Sequence, residues 1–127
     1  MTKINISHVS NMHNQWLRNL NFYKTEITIQ KGILTEIAGK NTSGDIAKDV
    51  EHFENQFRIQ SDNIDAINHD IHLNIGAISR AAQSSSAGYI DGQLLTDHTA
   101  LGNRAEDEEK VMVELIHSFR KFAEKWM

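Results

Sequence analysis

A chain of 127 residues that is 39% hydrophobic and 24% charged has material for one core and is too apolar to stay disordered. It has no cysteine, which excludes disulfides, thiolate metal sites and thiol nucleophiles. Its net charge is −4 with the histidines neutral, and its lysines and arginines are scattered, leaving no basic footprint for nucleic acid or an anionic membrane.

Proline is also absent, as expected of long helices, whose interiors exclude it. The longest apolar runs are short; Val111-Met112-Val113 stops at Glu114, far below a membrane span. Met1-Thr2-Lys3-Ile4-Asn5 lacks the apolar stretch of a signal peptide, so a cytoplasmic location is expected.

Three stretches repeat apolar positions four and three residues apart, the spacing of helices packed along a seam. The first predicts a helix over about 6–39, with the seam His13, Trp16, Leu20, Tyr23, Ile27, Gln30, Leu34 and Ile37. Gly39 suits a left-handed C-terminal cap. Gly32 inside this helix suggests close approach of a neighbour, with His52 at its level.

The second helix, about 44–82, opens after Thr42 or Ser43 and carries Asp45 in its first turn. Its seam is Ile46, Val50, Phe53, Phe57, Gln60, Ile64, Ile67, Ile71, Asn74 and Ile78. Glu51 and Glu54 are spaced to pair with Lys48 and Arg58. Ser84-Ser85-Ser86, Gly88 and Gly92 mark a loop.

The third seam runs Leu101, Ala105, Glu108, Met112, Leu115, Phe119, Phe122 and Trp126. Asn103 with Glu106 forms a capping pair, yet the phase continues back through His98 to Leu94, so the start is placed at 95 or 103. No segment reads as a strand. The fold class is all-α: one domain, a long antiparallel three-helix bundle running up, down and up.

Each helix has further apolar residues beside its seam: Phe22, Ile29 and Ile33; Ile59, Ala66 and Leu73; Val113, Ile116 and Ala123. Three helices leave little room to hide them all, so a homodimer that completes a larger bundle is the economical expectation.

Threading the bundle sets residue 13 level with about 71, and 108 with about 68, to within a turn of about 5 Å. His8, His13, His69, His72 and His98 then gather toward one end. Helical metal sites draw carboxylates and imidazoles from facing helices, often as pairs three apart, and zinc, iron, copper and nickel accept both. His13, His69, His72 and Glu108 are therefore the candidate transition-metal ligands, with Asp65 or Asp70 orienting a ring from behind. The competing reading is a polar layer, in which an inward His or Glu fixes register with no metal. Glu114 and His117 have the Glu-x-x-His spacing of di-iron bundles, but one such pair is evident, with Glu26 as a distant partner.

His13-Asn14-Gln15-Trp16-Leu17, Val50-Glu51-His52-Phe53-Glu54-Asn55-Gln56-Phe57 and the terminal Lys125-Trp126-Met127 resemble a small family of uncharacterised bacterial helical-bundle proteins. The resemblance implies a bacterial cytoplasmic origin and brings no activity, cofactor or catalytic residue.

There is no glycine-rich phosphate loop, no serine elbow, and no nucleophile with an activating base. Two expectations follow. The preferred one is a non-enzymatic bundle, homodimeric, acting through contact with itself or another protein. The alternative is a metal-binding bundle, an enzyme or sensor, holding zinc or iron at its histidine-rich end.

Overall fold

The three seams become three long helices. The structure, a computed structural model, describes residues 4–83, 89–90 and 92–127. Its elements are β1 (Ile4–Asn5), α1 (Ile6–Lys40), α2 (Gly44–Gln83), β2 (Tyr89–Ile90) and α3 (Gly92–Trp126). α1 packs on α2, α2 on α3 and α1 on α3. The connections make α1 and α3 parallel and α2 antiparallel to both, and each helix is over 50 Å long at about 1.5 Å per residue.

Each expected position of the first seam is buried, and so are those of the other two except Val50 and Trp126, which are half-buried. Burying that stripe is what holds each helix, at about 25 cal/mol per Å² of apolar surface removed from water. At one end the core is aromatic. Phe53 lies 5.1 Å from Phe122 and 5.3 Å from Phe119 between ring centroids, and Phe57 lies 5.2 Å from Phe119. These are offset and edge-on contacts, each adding about 1 kcal/mol beyond area burial. The α1–α2 turn closes this end, where Asn41 Nδ2 donates to the Ile37 carbonyl at 2.9 Å and to the Trp126 carbonyl at 3.5 Å.

Polar contacts confirm the threading to within a turn. His13 meets Asn74, Lys24 Nζ donates to Ser61 Oγ and Asp65 Oδ1, and Arg104 pairs with Asp70 at 2.7 Å.

Several local expectations are corrected. Ile4–Asn5 and Tyr89–Ile90 form a two-residue antiparallel pairing, which no alternation announced because two residues are too few to show a period. Gly39 is not a left-handed cap; the helix runs to Lys40, and Asn41 closes it through backbone and side-chain bonds to Ile37. α3 begins at Gly92, within a few residues of the earlier of the two expected starts and well before 103. Buried His98 and Leu101 extend the packed stripe backward, and burial outweighs the capping signal at Asn103. The Glu51–Lys48 and Glu54–Arg58 pairs are not among the ion pairs of the described residues. Ser84, Ser85, Ser86 and Gly88 lie outside the described residues.

The glycine that permits close approach is Gly102, not Gly32. Gly32 is exposed and a Cβ there meets nothing within 4 Å, while His52 is also exposed. A Cβ on Gly102 would stand 2.7 Å from Trp16 Cζ2. The indole cannot readily yield, because the His98 ring is stacked 4.6 Å from it and the His13 ring meets it edge-on at 5.7 Å. Gly102→Ala is therefore expected to destabilise the fold by about 1–3 kcal/mol through overpacking. Gly32→Ala is expected to stabilise it by about 1 kcal/mol through helix propensity. Urea unfolding of the two variants in dilute protein measures both signs.

Candidate functional site

Two groups of polar side chains interrupt the apolar interior. The first joins α1, α2 and α3 near the end opposite the phenylalanine cluster. His13 is 3% exposed and His98 is 1% exposed. Both sit on the seam that buries Trp16 and Leu101, so the packing that folds the helices also takes the two imidazoles out of water.

Their bonds fix their tautomers. Asn74 Oδ1 accepts from His13 Nε2 at 2.8 Å, so the His13 proton is on Nε2. His98 Nδ1, 3.3 Å from the same nitrogen, then meets it as a lone pair. The His98 proton is left on Nε2, aimed at Met12 Sδ 3.5 Å away. Both rings are neutral in this arrangement. Burial lowers the His98 pKa from 6.5 to about 4, with His13 and His8 adding repulsion. Burial also lowers the His13 pKa, partly offset by the bond to Asn74.

The second group lies on α2 and α3. Glu108 is 6% exposed, and burial raises its pKa from 4.5 to about 7. It forms part of a shallow groove with Asn63, Ala66, Ile67, Arg104 and Val111. The Gln60 amide faces its carboxyl. With the nitrogen turned inward, Gln60 Nε2 donates to Glu108 Oε2 at 2.7 Å and Oε1 at 3.0 Å. With the oxygen turned inward, that oxygen accepts from Asn63 Nδ2 at 3.3 Å and can accept from Glu108 only when the carboxyl carries its proton. A half-turn of one amide thus serves either protonation state of the acid.

The four candidate metal ligands are not brought together. His13 bonds Asn74 and His98, whereas His69 and His72 are exposed on α2. Glu108 is ten residues beyond His98 on α3, about 15 Å along the axis. Asp65 and Asp70 pair with Lys24 and Arg104 instead of a histidine. Among the described residues no three His, Asp or Glu side chains converge as a metal's ligands would. Glu114 and His117 are exposed; His117 shares a groove with Glu26, Tyr23 and Arg120 on the outer side of α1 and α3. Gln30 finds its partner within its own helix, donating to Glu26 at 3.3 Å.

The spacing gathers His98 with His13 at one end of the bundle without pairing them, and it does not join Asn74 to either. His98 and Asn74 stood on the seam phase, which was the available signal. Met12 and Gly102 gave none, since one is a half-buried flank and the other a residue without a side chain.

Comparison with protein-family models, curated proteins and solved structures finds no match to this chain. No helix among the described residues is long and apolar enough to cross a membrane.

The two polar groups tilt stability in opposite directions with pH. His98 binds a proton more readily unfolded than folded, so its contribution is present above pH 6.5 and is lost as pH falls toward 4; His13 acts in the same direction. Glu108 holds its proton more tightly when folded, so its contribution is present below 4.5 and is lost as pH rises through 7. His98 and Glu108 are each worth on the order of 3 kcal/mol. Their slopes oppose between pH 4.5 and 6.5. Glu108→Gln should expose the histidine slope, giving stability that climbs with pH across this window more steeply than wild type. Urea midpoints at several pH values test it; identical wild-type and variant profiles would count against the buried acid.

Proposed function

We propose that this protein is a non-enzymatic assembly module that acts by associating with copies of itself through its exposed apolar rows. The observation carrying this reading is the surface that the packed bundle leaves uncovered. Phe22 is 55% exposed, Ile29 50% and Val113 54% on the side of α1 and α3; Leu73 is 59%, Ile59 39% and Val111 40% on the side of α2 and α3. Apolar side chains aligned along a helix mark contact surfaces far more often than singly scattered ones do.

The interior supports the same reading. His13, Asn74, His98, Gln60 and Glu108 satisfy one another across helices. Inward polar groups that meet only at one relative height act as register keys, for which buried polar residues in helical bundles are best attested.

Sedimentation equilibrium tests the proposal with one charged substitution in each row, Ile29→Asp and Leu73→Asp. Both positions are exposed, so each variant is expected to melt within about 0.5 kcal/mol of wild type. At least one should lower the association constant about tenfold or more. A wild-type chain that stays monomeric at high concentration would overturn the reading.

A further inference from the structure

The outer face of α1 carries a second seam that is complementary to itself, and we infer that two copies of this chain pair antiparallel along it. The inference rests on the assembly reading above and adds the helix used, its direction and its register. Arg18, Phe22, Thr25, Ile29, Gly32 and Glu36 follow one another at spacings of four, three, four, three and four. All six are exposed. Such spacing draws one stripe along a helix, as the buried seam does on the opposite face.

The spacing reads the same from either end. Two copies related by a two-fold axis at the level of residue 27 therefore bring these positions into register with each other. Arg18 meets Glu36, Phe22 meets Gly32, and Thr25 meets Ile29, each twice. Every pairing is a chemical match: opposite charges, with Glu36 also holding Lys40 of its own helix at 3.1 Å, a large ring over a residue with no side chain, and two β-branched side chains. An antiparallel two-fold contact is closed, so it ends at a dimer.

Gly32 is the detail the bundle alone leaves unexplained. It stands in the interior of a 35-residue helix, where glycine weakens the helix, and a Cβ there would touch nothing. Opposite Phe22 of a second copy it becomes the hole into which a ring fits. The third helix adds to the same surface. Trp16 packs on Gly102 and His13 on His98, which sets Val113 level with the two-fold axis, in the groove it shares with Phe22.

Alternatives fit less well. Parallel pairing of the same face sets Arg18 on Arg18, Glu36 on Glu36 and Gly32 on Gly32. The α2 row of Ile59, Ala66 and Leu73, paired antiparallel about Ala66, sets Asp62 opposite Asp70, which Arg104 of its own chain already holds, so this register offers no pairing of opposite charges. The α1 contact is about 27 Å long, smaller than a standard interface, so a dissociation constant of about micromolar is expected.

Because the native chain has no cysteine, crosslinking reads the register directly. Chains carrying Arg18→Cys are mixed with chains carrying Glu36→Cys and oxidised. The mixed disulfide should dominate, since those positions face each other. Arg18→Cys alone should give little, because its two copies lie 18 residues apart along the pair, about 27 Å against the roughly 7 Å limit for a disulfide. Sedimentation of Phe22→Asp and Gly32→Leu, with circular dichroism to show that each folds, should give association weaker by about tenfold or more. A dimer that forms Arg18→Cys homodisulfides without the mixed product would overturn the register while leaving assembly standing. So would a dimer indifferent to both Phe22→Asp and Gly32→Leu. A monomeric wild type would overturn the inference and the assembly reading together.

Discussion

The contact of Trp16 with Gly102 is the constraint on which the rest of the bundle depends. α1 and α3 run parallel, so no tight turn sets their relative height, and hydrophobic stripes alone tolerate sliding by a turn. An indole seated on a backbone without a Cβ, with its Cζ2 only 2.7 Å from where that Cβ would be, removes that freedom. Once this height is set, His98 reaches His13, and at the far end Asn41 reaches the Trp126 carbonyl. One close approach therefore positions contacts at both ends of a helix pair over 50 Å long.

The buried polar groups extend that constraint to α2. Asn74 ties the histidine layer to α2, and Gln60 ties α2 to Glu108. A slip of one turn would leave His13, Asn74 and Glu108 buried without partners, costing several kcal/mol. Neutrality is part of the arrangement. Burial lowers the pKa of both rings and raises that of the acid, so each group is biased toward its uncharged form. Burial disfavours a cation in one layer and an anion in the other, so the two layers resist charging from opposite ends of the pH range.

Much of this could be read from periodicity. Nearly all seam positions chosen from four-three spacing are buried, including the unobvious Gln30, Gln60, Asn74 and Glu108, because a long helix must keep one face inward wherever it packs. The candidate metal site failed to assemble for a complementary reason. Counting residues from the turns gives height along the axis, and His69 and His72 do lie toward the correct end. Direction around the axis decides contact, however, and between Ile67, Ile71 and Asn74 those two positions face outward. The close approach expected at Gly32 is made at Gly102 for a similar reason. A glycine shows that room is available without showing on which side of the helix it is used.

What the bundle does not require is concentrated on one face of α1. Taken alone, the fold draws less from Phe22 and Ile29 than from any seam position, although Phe22 meets Tyr23 edge-on at 5.1 Å, and it would be as well served by alanine at 32. Phe22 and Ile29 leave half of their surface in water, and Gly32 faces open space. Departures from local rules that bring little gain to the fold tend to coincide with functional surface. Here three fall on a single stripe, interleaved with Arg18 and Glu36, the two charges whose placement makes that stripe complementary to itself. The core seam of α1 explains how the helix folds; the outer seam, running along its opposite side, is where the same helix has something left to bind.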